Sequence, residues 1–329
     1  MDDWVASDGP AVLVTVAMVE GSGPREPGAR MLVGRSLHGT IGGGHLELRA
    51  VEIARAMLAE GRQRQLERFA LGPGLGQCCG GVVHLAFELA DPAQAAILQQ
   101  RRADDSWRLV ALDGAPERSL LDAHGTLLAG TQAPLFARER GTHLLQEQDG
   151  RRWLVDAVLA PRAQLLLFGA GHVGAAIVRA LAELPCTVTW VDEREDMFPA
   201  QVPDNVTVEA TDVPEAVVAN APAGASYLVM THSHALDQRL CEAIMARADV
   251  GWFGLIGSRT KRKQFEHRLR ARGVDAARID AMACPIGLPG ISNKVPAVIA
   301  ASVCAQLLGV WEAAPCAATG APALKLVAS

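Results

Sequence analysis

The sequence predicts an α/β protein, a mixed α+β N-terminal domain followed by a doubly wound parallel-sheet domain. Three observations predict it. The chain has 329 residues, which suits two domains. Its first half separates short apolar runs with Gly, Pro and Asp-Gly turns and holds one long helical pattern, which reads as antiparallel strands around a helix. From "APRAQLLLFGAGHVG" onward, strand patterns alternate with helical ones, the signature of a parallel sheet. The boundary falls near Pro161. The domains are therefore 1–160 and 161–311, and the small, unpatterned tail 312–329 is expected to be disordered.

In the N-terminal domain, Val12 to Val19 and Arg30 to Val33 read as strands joined by the Gly/Pro-rich "EGSGPREPGA". Gly42, Gly43 and Gly44 then run into a helix, with Leu46, Ala50, Ile53, Met57 and Leu58 at helical spacing and Gly61 as its stop. "QLERFAL" and "GVVHLAFEL" read as strands on either side of the loop "LGPGLGQCCGG", Leu71 to Gly81. "WRLVALDG", "ERSLLDAHGTLLAG" and "HLLQEQDGRRWLVDAVL" continue as strands and hairpins, with Asp149-Gly150 as a two-residue hairpin turn.

In the C-terminal domain the strands are Gln164 to Phe168, Thr187 to Val191, Val206 to Glu209, Ser226 to Thr231 and Trp252 to Ile256. The first runs into Gly169-x-Gly171-x-x-Gly174 and a helix with Val173, Ile177, Ala180, Leu181 and Leu184 on one face. Strand, glycines and helix in that order form the dinucleotide-binding fingerprint of a Rossmann-like domain. The first glycine permits a tight turn, the second lets a phosphate approach the backbone, and the third lets the helix pack on the sheet. The helix N-terminus, opened by His172, offers free amides and a positive dipole end to an anion. Asp192 ends the next strand, about where a ribose-binding acid is expected. Fold does not fix function, so occupancy of this turn by NAD(P) or another nucleotide stays open.

A second helix start, in "GLIGSRTKRKQF", has Ser258 as N-cap and Arg259, Lys261, Arg262 and Lys263 crowding the first turn. It reads either as a solvated basic face or as a second phosphate anchor. In "VMTHSHALDQRL", His232, His234 and Asp237 have the residue types of a metal site but no third strong ligand nearby. Histidines facing a ligand pocket are the reading adopted.

Half of the residues are hydrophobic and a fifth are charged, with a formal net charge of −5. That balance argues against a nucleic-acid surface. The N-terminal "MDDWVASDGP" carries acids where an export signal carries bases, so a cytoplasmic protein is expected. The longest apolar run, Val295 to Trp311, falls short of the ~20 residues of a membrane span and contains Pro296 and Gln306. A buried terminal helix is expected there. Seven scattered cysteines are expected to stay reduced, with Cys186, Cys241 and Cys304 serving as small core residues. Cys78 and Cys79 differ. A disulfide between neighbours is strained, no second pair completes a zinc ribbon, and no signature supports acyl transfer with His45 or His84 as base. Two readings remain: a soft thiolate on a loop that lets a ligand approach closely, or two small residues tucked under a turn.

In order along the chain, "GSGPREPGARMLV", "GTIGGGHLE", "LGPGLGQCCGG", "LLLFGAGHVG", "WVDEREDMFP", "VMTHSHALD", "GLIGSRTKRKQF" and "CPIGLPGI" resemble the xanthine dehydrogenase accessory proteins, the XdhC/CoxI family. The resemblance runs from about Ala11 to Trp311. It implies an N-terminal family domain joined to a Rossmann domain, and a molybdenum cofactor chaperone without turnover of its own. Such a protein holds molybdopterin while a NifS-like cysteine desulfurase places the terminal sulfido ligand on molybdenum, and then delivers it to xanthine dehydrogenase. Cys79, before Gly80-Gly81, matches the family's Cys-Gly-Gly position, which implies contact with the metal, with Cys78 beside it. Gly42, Gly43, Gly44 and His45 are implied as cofactor-binding, although more distant relatives often carry a cysteine where this chain has His45. Gly169, Gly171, His172, Gly174 and Asp192, with Ser258 and Arg259, form the second candidate cofactor-binding set. A homodimer is also implied. The competing readings are an NAD(P)-dependent oxidoreductase on the same Rossmann half and a scaffold that only bridges desulfurase and target.

Overall fold

The computed structural model describes residues 9–72 and 80–313. Cys78, Cys79 and the tail beyond residue 313 lie outside the described residues. The chain divides between Ala160 and Pro161 into two compact units.

In the N-terminal unit, β1 (Val12–Glu20), β2 (Arg30–Val33) and β3 (Leu37–Gly39) are followed by α1 (Gly44–Glu60), β4 (Arg64–Ala70) and β5 (Val82–Leu89). Their antiparallel sheet has the order β3-β2-β1-β5-β4. After α2 (Pro92–Gln100), the strands β6 (Ser106–Ala111), β7 (Arg118–Asp122), β8 (Leu127–Gly130), β9 (His143–Gln146) and β10 (Arg152–Val158) form a second antiparallel sheet, β8-β7-β6-β10-β9. β1 reads as a nearly unbroken apolar run because both of its faces are covered. Val12, Val14 and Val16 pack with Leu46, Ala50 and Met57 of α1, while Leu13 meets Leu120 and Ala17 meets Val110 of the second sheet.

The layer between these sheets also holds charge. Asp156 is fully buried and accepts from Arg30 Nε at 3.0 Å, Arg30 Nη2 at 2.5 Å and Arg108 Nη1 at 2.7 Å. Arg108 also pairs with Glu88. Buried charges persist only when partnered, and here one residue from each of four strands meets that demand. The β9–β10 hairpin differs from the expected two-residue turn. Glu147 N donates to Arg151 O at 2.8 Å, so the loop is 148–150, with Gly150 at φ +89°. The extra residue makes the three-residue loop that needs glycine in the left-handed region.

In the C-terminal unit, β11 (Ala163–Phe168), α3 (His172–Leu181), β12 (Cys186–Asp192), β13 (Val206–Ala210), α4 (Pro214–Ala219), β14 (Ser226–Val229), α5 (His234–Ala246) and β15 (Trp252–Leu255) build a parallel sheet of order β13-β12-β11-β14-β15. Then come α6 (Arg259–Ala271), α7 (Ala276–Ala281) and α8 (Pro296–Ala313). Strand alternation covers both faces. Leu165 and Leu167 pack with Ile177 of α3 and Val303 of α8, while Leu166 and Phe168 pack with Leu240 of α5 and Phe265 of α6. The strand order reverses between β11 and β14, where open α/β sheets bind their ligands at the carboxyl edge.

The apolar run near the C-terminus is a helix, but α8 is covered on one side only. Ala300, Val303, Cys304 and Leu307 are buried, while Ala297, Ala301, Ala305 and Gly309 are exposed. Among the described residues α8 is long and apolar enough to cross a membrane. Its buried face packs on α3 and the sheet and its other face does not, because an outermost layer has one neighbour.

Candidate functional site

Three glycines shape the turn after β11, each for its own reason. Gly169 has φ +121°, and a Cβ there would stand 2.4 Å from Met230 O. A Cβ on Gly174 would stand 2.2 Å from Gly169 O, so α3 packs directly on the turn. A Cβ on Gly171 would meet nothing within 4 Å, which leaves the backbone open to an approaching group. No side chain caps α3, and His172, its first residue, is exposed. Its first amides are therefore available to an anion.

Asp192 is nearly buried at the end of β12. Its Oδ2 accepts from Ala170 N at 2.7 Å and Arg194 Nη2 at 3.0 Å, and its Oδ1 accepts from Arg194 Nε at 2.9 Å and Arg194 N at 3.1 Å. Burial pushes its pKa up, but hydrogen bonds from the Arg194 guanidinium and from the amides of Ala170 and Arg194 outweigh burial and hold it below the ordinary carboxylate value.

Across the switch point, Asp237 is buried and structural. Its Oδ1 accepts from Thr231 Oγ1 at 2.7 Å and Thr231 N at 3.0 Å, and its Oδ2 accepts from Lys261 Nζ at 2.5 Å. The clamp ties the loop after β14 to the start of α6. Ser233 and Ser258 cap α5 and α6, accepting from Leu236 N and Lys261 N. His232 Nε2 lies 3.3 Å from Glu193 Oε1. Among the described residues no group of three His, Cys, Asp or Glu could hold a metal ion. The basic turn is partly spent on the fold, since Lys261 also donates to Ile256 O, and Arg262 donates to Glu266 and to Cys284 O. The exposed Arg259 and Lys263 remain for an anion.

A second cradle lies in the N-terminal unit, at the start of α1. Gly42, Gly43 and Gly44 have φ of +118°, +73° and +64°. The amides of Gly42 and Gly43 donate to Thr40 Oγ1 at 3.1 Å and to Glu47 Oε2, so the amides that face an anion are those of Gly44 and His45 at the uncapped start of α1. Glu47 Oε2 accepts from Gly43 N at 2.9 Å and Thr40 Oγ1 at 2.7 Å and pins the turn from the helix side. His45 is exposed. A Cβ on Gly42 would stand 2.5 Å from Pro24 Cβ, and one on Gly81 would stand 2.2 Å from Ser22 O. The "GSGPRE" turn therefore sits against both the glycine triplet and the base of the cysteine loop, which Leu71 N closes onto Gly81 O at 2.8 Å. The four thiols that the structure describes are buried, and burial pushes Cys186 and Cys304 up to about 11. They are inert at neutral pH.

Sequence reasoning singles out the glycines, Asp192 and Ser258. It misses Arg194, Glu47 and the Asp237–Lys261 clamp. The signal for Glu47 is an acid in the first turn of the helix, where the helix dipole favours negative charge. The clamp joins residues 24 apart and has no local signal.

A model described as the XdhC and CoxI family matches residues 4–70, and a model described as the XdhC Rossmann domain matches residues 165–307. Among curated proteins, "Uncharacterized protein YqeB" of Escherichia coli (strain K12) is 28% identical over 219 residues, which is 65% of this chain. The match spans 40% of that relative's length. A crystal structure described as a xanthine dehydrogenase from Bacillus halodurans is similar over 96% of each chain, with a TM-score of 0.74 at 19% identity, a likeness of fold. The two family models between them take in the α1 cradle and the glycine turn at α3, and the chain belongs to the XdhC/CoxI family of accessory proteins.

Proposed function

We propose that this chain serves the maturation of xanthine dehydrogenase as a carrier of the molybdenum cofactor rather than as an enzyme. It holds molybdopterin while a NifS-like cysteine desulfurase supplies the terminal sulfur, and then passes the cargo to xanthine dehydrogenase. Family membership supports the partner. The observation that carries the cargo reading is the cradle at α1, where three consecutive left-handed glycines adjoin the base of the loop bearing Cys78 and Cys79. Gly42 to Gly44 and His45 would seat the phosphate of the pterin arm through the first amides of α1, those of Gly44 and His45, because a helix N-terminus favours an anion. Cys79 would meet the molybdenum end as a soft thiolate. The open turn at Gly171 is a second seat for a phosphate.

The test is molybdenum and pterin content per chain for protein purified from a host that makes the cofactor. Bound pterin is expected in the wild type, with a sharp loss in Cys79→Ser, a milder or similar loss in Cys78→Ser, and an unchanged thermal melt. Full occupancy in Cys79→Ser would remove the thiolate role. Bound nicotinamide with redox turnover, and no pterin, would favour the NAD(P)-dependent oxidoreductase instead.

A further inference from the structure

The carboxylate of Asp192 has no room for a ribose. An ionised carboxylate offers about four lone-pair sites, and four donors already occupy them: Ala170 N, Arg194 N, Arg194 Nε and Arg194 Nη2. Two of these donors are backbone amides and stay in place. The other two belong to one side chain two residues away, in the paired fork geometry that makes such bonds strong. On its Thr231 side the carboxylate borders a cavity of only ≈ 10 Å³, bounded by Phe168, Glu193, Thr231, His232 and Leu236, about the room of one water.

We propose that Arg194 is a specificity-determining residue that closes the ribose subsite of this Rossmann crevice, so that the crevice takes a phosphate monoester and turns away dinucleotides. The inference rests on the reading of Gly171 and the α3 N-terminus as a phosphate seat. A dinucleotide needs both the phosphate seat and a ribose acid with free lone pairs. Here binding it requires the Arg194 fork to leave Asp192. The usual alternative, an arginine that accepts a phosphorylated ribose, is blocked too. Arg194 is the one cation in "DERED", and the negative charge of Asp192, Glu193 and Asp196 stabilises its guanidinium while opposing a second phosphate. The crevice thus keeps the phosphate-binding half of the fingerprint and shuts the nucleoside half.

Calorimetric titration of the full chain with NAD+, NADP+ and inorganic phosphate tests this. The wild type is expected to bind phosphate and to bind neither dinucleotide more tightly. Arg194→Ala should free two lone pairs on Asp192 and tighten NAD+ at least about tenfold, the scale of one well-placed charged hydrogen bond, with no gain for NADP+. Arg194→Lys, which keeps the charge and loses the fork, should gain less. The double variant Arg194→Ala with Asp192→Asn should lose the gain, which separates an opened subsite from general loosening, and circular dichroism melts confirm that each variant folds. Tight NAD+ binding by the wild type, or no change in Arg194→Ala, overturns the proposal. Absence of phosphate binding, with Gly171→Val behaving as the wild type, overturns the phosphate seat on which it rests.

Discussion

Gly169, Gly171 and Gly174 share a motif but not a cost of replacement. Gly174→Ala would drive a methyl against the Gly169 carbonyl, which is backbone and cannot rotate away. Overpacking of this kind costs about 1–3 kcal/mol. Gly171→Ala would place its methyl in open space, at φ −72°, where any residue is comfortable, and loses only the preference for Gly over Ala at an N-cap, about 0.5–1 kcal/mol. Urea unfolding of the two variants checks the contrast, and an equal loss would mean that the open space at Gly171 is not real. Asp192 adds a pH signature. Its pKa is depressed in the folded chain by Arg194 and two amides against the opposing pull of burial, and returns to about 3.9 on unfolding. The ionised form therefore favours the fold. This contribution is fully present above about pH 4 and is lost as pH falls through the lower folded value. Asp192→Asn should flatten the acid side of the stability curve, measured by urea midpoints at stepped pH.

At the scale of elements, the buried charges between the two N-terminal sheets give the sharpest expectation. Asp156→Ala removes the carboxylate that Arg30 and Arg108 share in a largely buried layer, leaving Arg108 with Glu88 and Arg30 with Ala157 O, and should cost up to about 3–5 kcal/mol. Breaking the exposed Arg49–Glu52 pair should cost under about 1 kcal/mol. Similar midpoints for Asp156→Ala and Glu52→Ala would mean that water reaches the layer. The same elements show what the sequence made legible. β1, β2, α1 and all five strands of the parallel sheet follow from apolar periodicity and turn residues, because their burial is set by neighbours along the chain. β3 is three residues long and has too few positions for a pattern. α2 and α4 went unread although Asp91-Pro92 and Pro214 mark helix starts. The Arg30–Asp156 pair spans 126 residues, so only folding joins it. At the candidate sites the glycine spacing was legible because geometry requires glycine there. The saturation of Asp192 was not, since a carboxylate at a strand end looks the same whether it is free or occupied.

At the scale of the whole molecule, each unit has its own apolar clusters, so each carries its own stability. Two calorimetric transitions are expected for the intact chain. Asp156→Ala identifies the N-terminal one and Gly174→Ala the C-terminal one, because each variant lowers only its own unit. The homodimer that the family resemblance implies is checked by light scattering at working concentration, where a monomer would remove it. The proposed cargo would act as a ligand that binds the native state and would raise only the transition of the unit that holds it, by about 2.7 kcal/mol at a hundredfold excess over Kd. The α1 cradle adjoins the base of the cysteine loop, so molybdopterin-loaded protein should show a raised N-terminal transition beside an unmoved C-terminal one, and Gly43→Val should abolish the shift. A Cβ at Gly43 meets no atom within 4 Å, but its φ of +73° disfavours any other residue, so the unloaded Gly43→Val protein is the reference for that variant. A shift confined to the C-terminal transition, and lost in Gly171→Val, would move the phosphate seat to α3. If loading moves neither transition, the cargo is held by neither glycine turn, and the carrier reading loses its structural support.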